Sequence, residues 1–235
     1  AKAQVAVEVI DPSRPLDGYG VVISPFLLSL DEGGVRDRLK AWIQAGGTWV
    51  AGPMTDIRTR HGTKYTQSPF GVLEDWTGAR CRWQIPGNVE EPLFRVRWRG
   101  GAETGARIWY DVFDPPAGAE VLGVYTNDRL KDQVAAFSVS FGKGRIVVLG
   151  TVPSAASVLA LLQPHLGPRI EASGNVLVVE RNGRNTGGLM IAELEGISGN
   201  LVLSEEMTNL ADGRILNPGI IALDPYGILV LEGQK

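Results

Sequence analysis

The stretch from Gly46 to Thr59, Gly-Gly-Thr-Trp-Val-Ala-Gly-Pro-Met-Thr-Asp-Ile-Arg-Thr, constrains the fold more than any other part of this chain. Its short apolar run, Thr48 to Ala51, stops abruptly at Gly52-Pro53, which predicts a buried strand that releases a polar loop. The preceding sequence supplies the rest of a βαβ unit. Tyr19 to Ser24 is a nearly continuous apolar run, as expected of a parallel strand covered on both faces. Val35, Leu39, Trp42 and Ile43 recur at i, i+4, i+7 and i+8 and make one apolar helical stripe. Gly46 stops that helix as a C′ glycine, and Ser29 with Glu32 has capping-box spacing for its start, although Gly33 and Gly34 weaken the turn. Strand, helix and strand with short connections predict a right-handed crossover. Partners and ligands gather where such strands end, so the long polar loop from Pro53 to Ser68 is the candidate functional region. Asp56, Arg58 and His61 are its candidate binding residues.

Other elements follow from local pattern. Gln4 to Ile10 alternates Val5, Val7 and Val9 against polar or small residues, a strand pattern that Asp11-Pro12 ends. Pro69 to Thr77 reads as a short helix carrying Phe70, Leu73 and Trp76 inward. From Arg80 the texture turns to β: Arg80 to Ile85, Leu93 to Arg99, Arg107 to Phe113 and Glu120 to Tyr125 are strands. Val134 to Phe141 and Arg145 to Leu149 form a hairpin around Gly142-Lys143-Gly144. Ser154 is the N-cap of a helix over Ala155 to Leu162, which Pro164 ends. Gly167-Pro168 is the expected boundary between a domain over residues 1–168 and one over 169–235. After Phe141 the only aromatic residue is Tyr226. Short apolar strands between Gly and Asn turns make the tail a small β-sandwich or open barrel.

Several chemistries find no support. The net charge of −3 offers no general attraction to nucleic acid, and no apolar run approaches the roughly 20 residues that span a bilayer. The one cysteine, Cys81, rules out an internal disulfide and suits a reducing, cytoplasmic setting. Cys81 lies inside an alternating strand rather than at a sharp strand-to-helix turn, so it lacks the setting of a nucleophile. Two histidines and one cysteine, far apart in sequence, match no zinc spacing, and Gly142-Lys143-Gly144 lacks the phosphate-loop spacing. The adjacent acids Asp31-Glu32, Glu74-Asp75, Glu90-Glu91 and Glu205-Glu206 diverge on either strand or helix, so none makes a glycosidase pair by itself. No catalytic residue, metal ligand or cofactor is expected. Arg80, Arg82, Arg95, Arg97, Arg99 and Arg107 form a basic cluster with three readings: a phosphate-tracking surface, cross-strand pairing with Asp111, Glu103 or Glu91, or a subunit interface enriched in Arg and Trp. Trp42, Trp76, Trp98 and Trp109 are core candidates, and any that proves exposed is an interface anchor.

Gly46-Gly47-Thr48 with its apolar run, Gly52-Pro53-Met54-Thr55-Asp56-Ile57-Arg58-Thr59, Ser68-Pro69-Phe70-Gly71, and Gly142 to Arg145 with Leu149-Gly150-Thr151 together resemble the trimerisation domain of glycoside hydrolase family 42 β-galactosidases. The resemblance covers most of residues 1–168, and the tail fits the small β domain that closes such enzymes. It implies an α/β fold, a flavodoxin-like or class I glutamine amidotransferase-like layered domain with an added antiparallel β portion, followed by a small all-β sandwich-like domain. It also implies a non-catalytic assembly region of a homotrimeric enzyme that hydrolyses terminal β-D-galactosides by a retaining two-glutamate mechanism. The (β/α)8 barrel that carries those glutamates precedes this region in the family, along with a further strand and helix. The chain is therefore expected to be the C-terminal part of a longer polypeptide whose own barrel is its partner, with no nucleic acid and no membrane. The loop at Asp56, Arg58 and His61 then either braces itself, Asp56 pairing with an arginine, or faces the barrel or a sister subunit. Two alternatives remain: a stand-alone amidotransferase-like hydrolase, and a carbohydrate-binding module in the tail.

Overall fold

The computed structural model describes residues 7–66, 71–162, 170–182 and 186–234. In chain order the first unit contains β1 (Val21–Ser24), α1 (Val35–Ala45), β2 (Thr48–Ala51), α2 (Val72–Thr77), β3 (Arg80–Pro86), β4 (Phe94–Trp98), β5 (Glu103–Ala106), β6 (Trp109–Asp114), β7 (Glu120–Tyr125), β8 (Val134–Phe141), β9 (Gly144–Leu149) and α3 (Ala155–Leu162). The second contains β10 (Val176–Asn182), β11 (Thr186–Glu193), β12 (Gly199–Leu203), β13 (Met207–Asn209), β14 (Ile215–Leu216), β15 (Gly219–Leu223) and β16 (Ile228–Gln234). Contacts divide the chain into Ile10–His165 and a second unit of Leu166–Lys235 with Ala1–Val9. The boundary expected at Gly167-Pro168 lies outside the described residues.

In the first unit a nine-stranded sheet runs β1-β2-β9-β8-β7-β4-β5, with β6 pairing both β3 and β8. Among the described residues only β1, β2 and β9 are mutually parallel; the rest pair antiparallel. The α/β class expected from the βαβ unit is therefore corrected: the chain is mostly β, and one parallel corner is joined to a larger antiparallel sheet. The sheet curls, helped by register shifts in the β3–β6 and β7–β8 pairs, because a bulge bends its strand and adds twist. One face closes on itself around Val50, Val96, Tyr110, Tyr125, Ala135 and Leu149. The other is covered by the helices around Leu39, Ile43, Trp49, Leu73, Phe137 and Ile146. Trp49, between Thr48 and Val50, goes to the helix side because successive strand residues point to opposite faces.

The helical stripe of α1 packs as expected, Leu39 and Ile43 being fully buried. Its start differs. Gly34, at φ 69, is the N-cap with no side-chain cap, and Ser29 Oγ instead accepts the Asp31 N–H at 3.1 Å. The helix ends at Gly46, φ 132, whose N–H bonds to Ile43 O. Ser154 does cap α3, its Oγ accepting the Ser157 N–H at 3.2 Å. Residues 7–10 form no strand, and Phe70 with most of the Ser68 to Gly71 motif lies outside the described residues.

The second unit is all β. A five-stranded sheet, β10-β11-β16-β13-β14, and the β12–β15 pair enclose Val178, Ile191, Leu201, Leu203, Leu223 and Leu231. Its strands are those the Gly and Asn turns delimit, apart from the short β13 and β14.

Candidate functional site

The loop after β2 leaves the sheet under tight control. Gly52 donates its N–H to Ser24 O at 2.9 Å, so close to the β1 end that a Cβ on Gly52 would sit 2.5 Å from Pro25 O. Thr55 Oγ1 donates to the same Ser24 carbonyl at 3.2 Å. Met54 and Asp56 both adopt positive φ, 62° and 53°, a conformation that costs non-glycine residues energy and must be held by its surroundings. Thr55, Asp56 and Ile57 are buried, so the start of this loop is core, where a polar loop was expected.

Asp56 is what holds it. Its side chain is fully buried and accepts four donors. The Leu30 N–H at 3.0 Å and the Tyr65 hydroxyl at 3.0 Å reach Oδ1. The Val72 N–H reaches Oδ2 at 2.9 Å, and Arg36 Nη2 stands 3.4 Å from Oδ1. Arg36 also pairs with Asp31 at 3.2 Å, bonds the Tyr65 hydroxyl and lies over the Tyr65 ring. Burial, then the Asp56 charge, raises the Tyr65 phenol to about 12. One carboxylate thus ties the β1–α1 connection, the loop and the start of α2 together. Gly71 fits against it only as glycine: its φ is +56, and a Cβ would lie 2.3 Å from Asp56 Oδ2. The arginine partner is Arg36 of α1, not Arg58.

The other two candidates lie elsewhere. Arg58 is half-buried and hangs on the Leu28 carbonyl through its backbone N–H at 2.9 Å. His61 is exposed at the loop tip, its Nε2 accepting from Arg60 Nε at 3.1 Å beside the Thr59–Thr63 hydroxyl pair at 2.7 Å. Asp56 faces inward and His61 outward, so the three do not converge on one point.

A second buried carboxylate, Asp111, had only the basic cluster as a sequence clue. Among the described residues its Oδ1 accepts the Trp109 indole N–H at 2.7 Å and stands 3.9 Å from Cys81 Sγ, while Oδ2 has no partner. Burial raises the carboxyl to about 7, against the opposing pull of the Trp109 and Met54 N–H groups. The Cys81 thiol is pushed far up by burial and then by Asp111 and Glu74. That is the reverse of what a nucleophile requires. Three of the six arginines, meanwhile, find other carboxylates. Arg95 pairs with Glu103 at 2.5 Å, Arg82 with Asp114, and Arg99 and Arg145 with Glu120. Cross-strand pairing with Glu103 is as expected; among the described residues Asp111 takes no arginine. Trp83, which was not among the core candidates, is 57% exposed.

At the C-terminal ends of β1, β2 and β9 a pocket of about 170 Å³ is lined by Ile23, Phe26, Val50, Pro53, Leu149 and Val158, among others. Among the described residues no charged side chain lines it, so it offers chemistry for an apolar group only. Among the described residues no three His, Cys, Asp or Glu side chains are placed to hold a metal ion, and no helix is long and apolar enough to cross a membrane.

In the second unit Glu193, not foreseen from sequence, organises the turns. It accepts the N–H groups of Glu195 at 2.6 Å, Gly196 at 2.8 Å and Tyr226 at 2.7 Å, and the Asn175 amide at 3.0 Å. Burial opposes its charge, but these donors outweigh it and hold the carboxyl down at about 2.

Known proteins share this fold. The family model of the β-galactosidase trimerisation domain matches residues 1–169. β-Galactosidase YesZ of Bacillus subtilis is 26% identical over 234 residues, 96% of this chain and 34% of its own length. β-Galactosidase BgaB of a Geobacillus species is 25% identical over 238 residues, 98% of this chain and 35% of its own. Among solved structures, a β-galactosidase from Bacillus circulans superposes with a TM-score of 0.89 at 20% identity, covering 98% of this chain and 35% of that one. The glycoside hydrolase family 42 β-galactosidase Gan42B superposes at 0.87 with 23% identity, over 100% of this chain and 34% of its own. The chain spans about a third of the length of the relatives it matches.

Proposed function

The chain belongs to the family of β-galactosidase trimerisation domains, and from that premise we propose that it is the assembly region of a larger β-galactosidase. Its work is to hold three subunits in a closed ring while bond cleavage is done by two glutamates on a (β/α)8 barrel outside these 235 residues. The observation that supports this most directly is the family match over residues 1–169 combined with relatives about three times as long. The inverted electrostatics at Cys81 weigh against a stand-alone amidotransferase-like hydrolase, and the lone exposed Tyr226 weighs against a sugar-binding tail. The β1–α1–β2 corner, with β9 parallel beside it, is read as what survives of an amidotransferase-like layered scaffold. Galactosides meet this chain only through the parent enzyme, in the cytoplasm, without nucleic acid or membrane.

A cyclic trimer joins two different patches at each contact. Trp83 and the loop tip at Arg58 and His61 are the candidate contacts, the loop against the barrel or a neighbouring subunit. Sedimentation equilibrium of the 235-residue chain tests the reading: a mass of three chains is expected, and a monomer at every concentration up to about 100 μM overturns it. Replacing Trp83 by Ala is expected to weaken the trimer at least tenfold.

A further inference from the structure

Asp111 and Gln84 stand directly opposite each other in the β3–β6 ladder, so their side chains share one face of the sheet. Each leaves one buried polar atom without a hydrogen-bond partner among the described residues: the acceptor Oδ2 in Asp111 and the donor Nε2 in Gln84. Buried polar atoms are almost always paired, and here an unused acceptor faces an unused donor across one rung. The loop after β2 lies close by. The Met54 N–H, on a backbone at φ 62, and the Lys64 ammonium both favour the ionised form of the Asp111 carboxyl. Lys64 is exposed and pairs with no carboxylate among the described residues. The other groups around Asp111 bring no positive charge. Its own strand supplies the Trp109 indole, and β3 the Cys81 thiol. From β7 the Tyr125 hydroxyl donates to the Asp111 carbonyl at 3.0 Å. From α2 the Glu74 carboxylate accepts the Cys81 N–H at 3.2 Å.

We propose that Asp111 is a pH latch for the loop: ionised, it draws Lys64 and residues 58–64 down onto the sheet, and protonated, it releases them. The two states ask for different partners. A carboxylate only accepts, and the Gln84 amide, the Met54 N–H and the Lys64 ammonium are the donors it gathers. A protonated carboxyl offers a proton, and the Gln84 amide turns its oxygen to take it, since an amide carries both a donor and an acceptor. Lys64 has no lone pair for that proton and returns to water. Burial keeps the proton on Asp111 up to about 7, so the exchange falls in the neutral range. Buried Ile57 and the bond from the Tyr65 hydroxyl to Asp56 pin the two ends of the stretch. The movement is therefore confined to residues 58–64, and pH sets where the tip carrying Arg58 and His61 stands.

Nuclear magnetic resonance of the 235-residue chain between pH 5.5 and pH 8.5 tests the latch. The Trp109 indole N–H, which donates to Asp111 at 2.7 Å, is expected to shift with a midpoint near 7. That signal reads Asp111 itself rather than His61 at the loop tip. The amides of residues 58–64, corrected for the intrinsic pH dependence of exchange, are expected to exchange at least threefold more slowly at pH 8 than at pH 6. Asp111→Asn should remove both changes. Lys64→Gln, at an exposed position, should remove the loop change and move the Trp109 midpoint upward. A Trp109 signal that stays flat overturns the latch, as does a loop that ignores pH while Trp109 titrates. A loop change that survives either substitution overturns it as well. None of these readouts depends on whether the chain forms a trimer.

Discussion

Asp56 and Asp111 are both buried aspartates of the first unit, less than 2% exposed, and they have been given opposite surroundings. Asp56 sits in a loop and collects four donors from three chain segments. Asp111 sits in a strand whose N–H and C=O groups are already used by the sheet, and one of its carboxylate oxygens has no partner among the described residues. A loop has spare backbone donors to aim at a carboxylate and a ladder has none of its own, so Asp56 collects a full set while Asp111 keeps only the Trp109 indole, the Cys81 thiol and the pull of the Met54 N–H. Glu193 in the second unit follows the Asp56 pattern, with three loop N–H groups.

The contrast is sharpest in its largest expected effect. Asp56→Ala takes one partner from each of Arg36 and Tyr65 and leaves the Leu30 and Val72 N–H groups unpaired, and removing one member of a buried charged network costs about 3–5 kcal/mol. Urea unfolding of the 235-residue chain measures it. A loss below about 1 kcal/mol breaks the claim that Asp56 holds the loop.

Asp111→Asn is expected to act through pH instead. The native carboxyl keeps its proton up to about 7, while the unfolded one releases it near 3.8. This part of the stability is therefore complete below about 4 and lost as pH rises through about 7. The titratable neighbours named for it, Cys81 with Glu74 beyond it and Lys64, do not reverse that direction. Asparagine retains an acceptor for Trp109 and cannot ionise, so the fall in stability between pH 5 and pH 8 should shrink by a few kcal/mol. An unchanged slope would show that another group carries it.

Glu193→Gln tests the other sign. With its carboxyl lowered to about 2, Glu193 contributes stability above its unfolded value of 4.5 that is lost as pH falls toward 2. The variant should flatten the acid limb of the unfolding curve and leave the limb above pH 6 parallel to wild type. The smallest effect belongs to His61→Ala. An exposed tip residue away from the Asp56 bonds should change stability by less than about 0.5 kcal/mol. A larger loss in the isolated chain would mean that the tip braces the fold.

Much of this was legible locally. The α1 stripe, the β8–β9 hairpin, the Gly46 stop, the Ser154 cap and most strands of the second unit follow from spacing and turn residues. How those strands pair was not, because a βαβ start says nothing about the order and direction in which later strands join its sheet. Asp56 was picked out for its place after a strand end, although its partners Leu30, Arg36, Tyr65 and Val72 come from up to 26 residues away. A sequence offers no register for such distances. Glu193 had a usable signal, an acid closing an apolar strand just before Gly196, with free turn amides to follow. Asp111 had only the basic cluster as a clue, which pointed to an arginine partner it does not take, since an acid in an alternating strand reads as exposed until both sheet faces are known to be covered.

The sequence by itself determined the periodic elements, the turns and the family, because each rests on neighbours within one or two turns of chain. Only the tertiary structure decided which acids are buried and what satisfies them. Those outcomes depend on segments far apart in the chain meeting at hydrogen-bonding distance, and on a sheet that curls until its own strands cover one face.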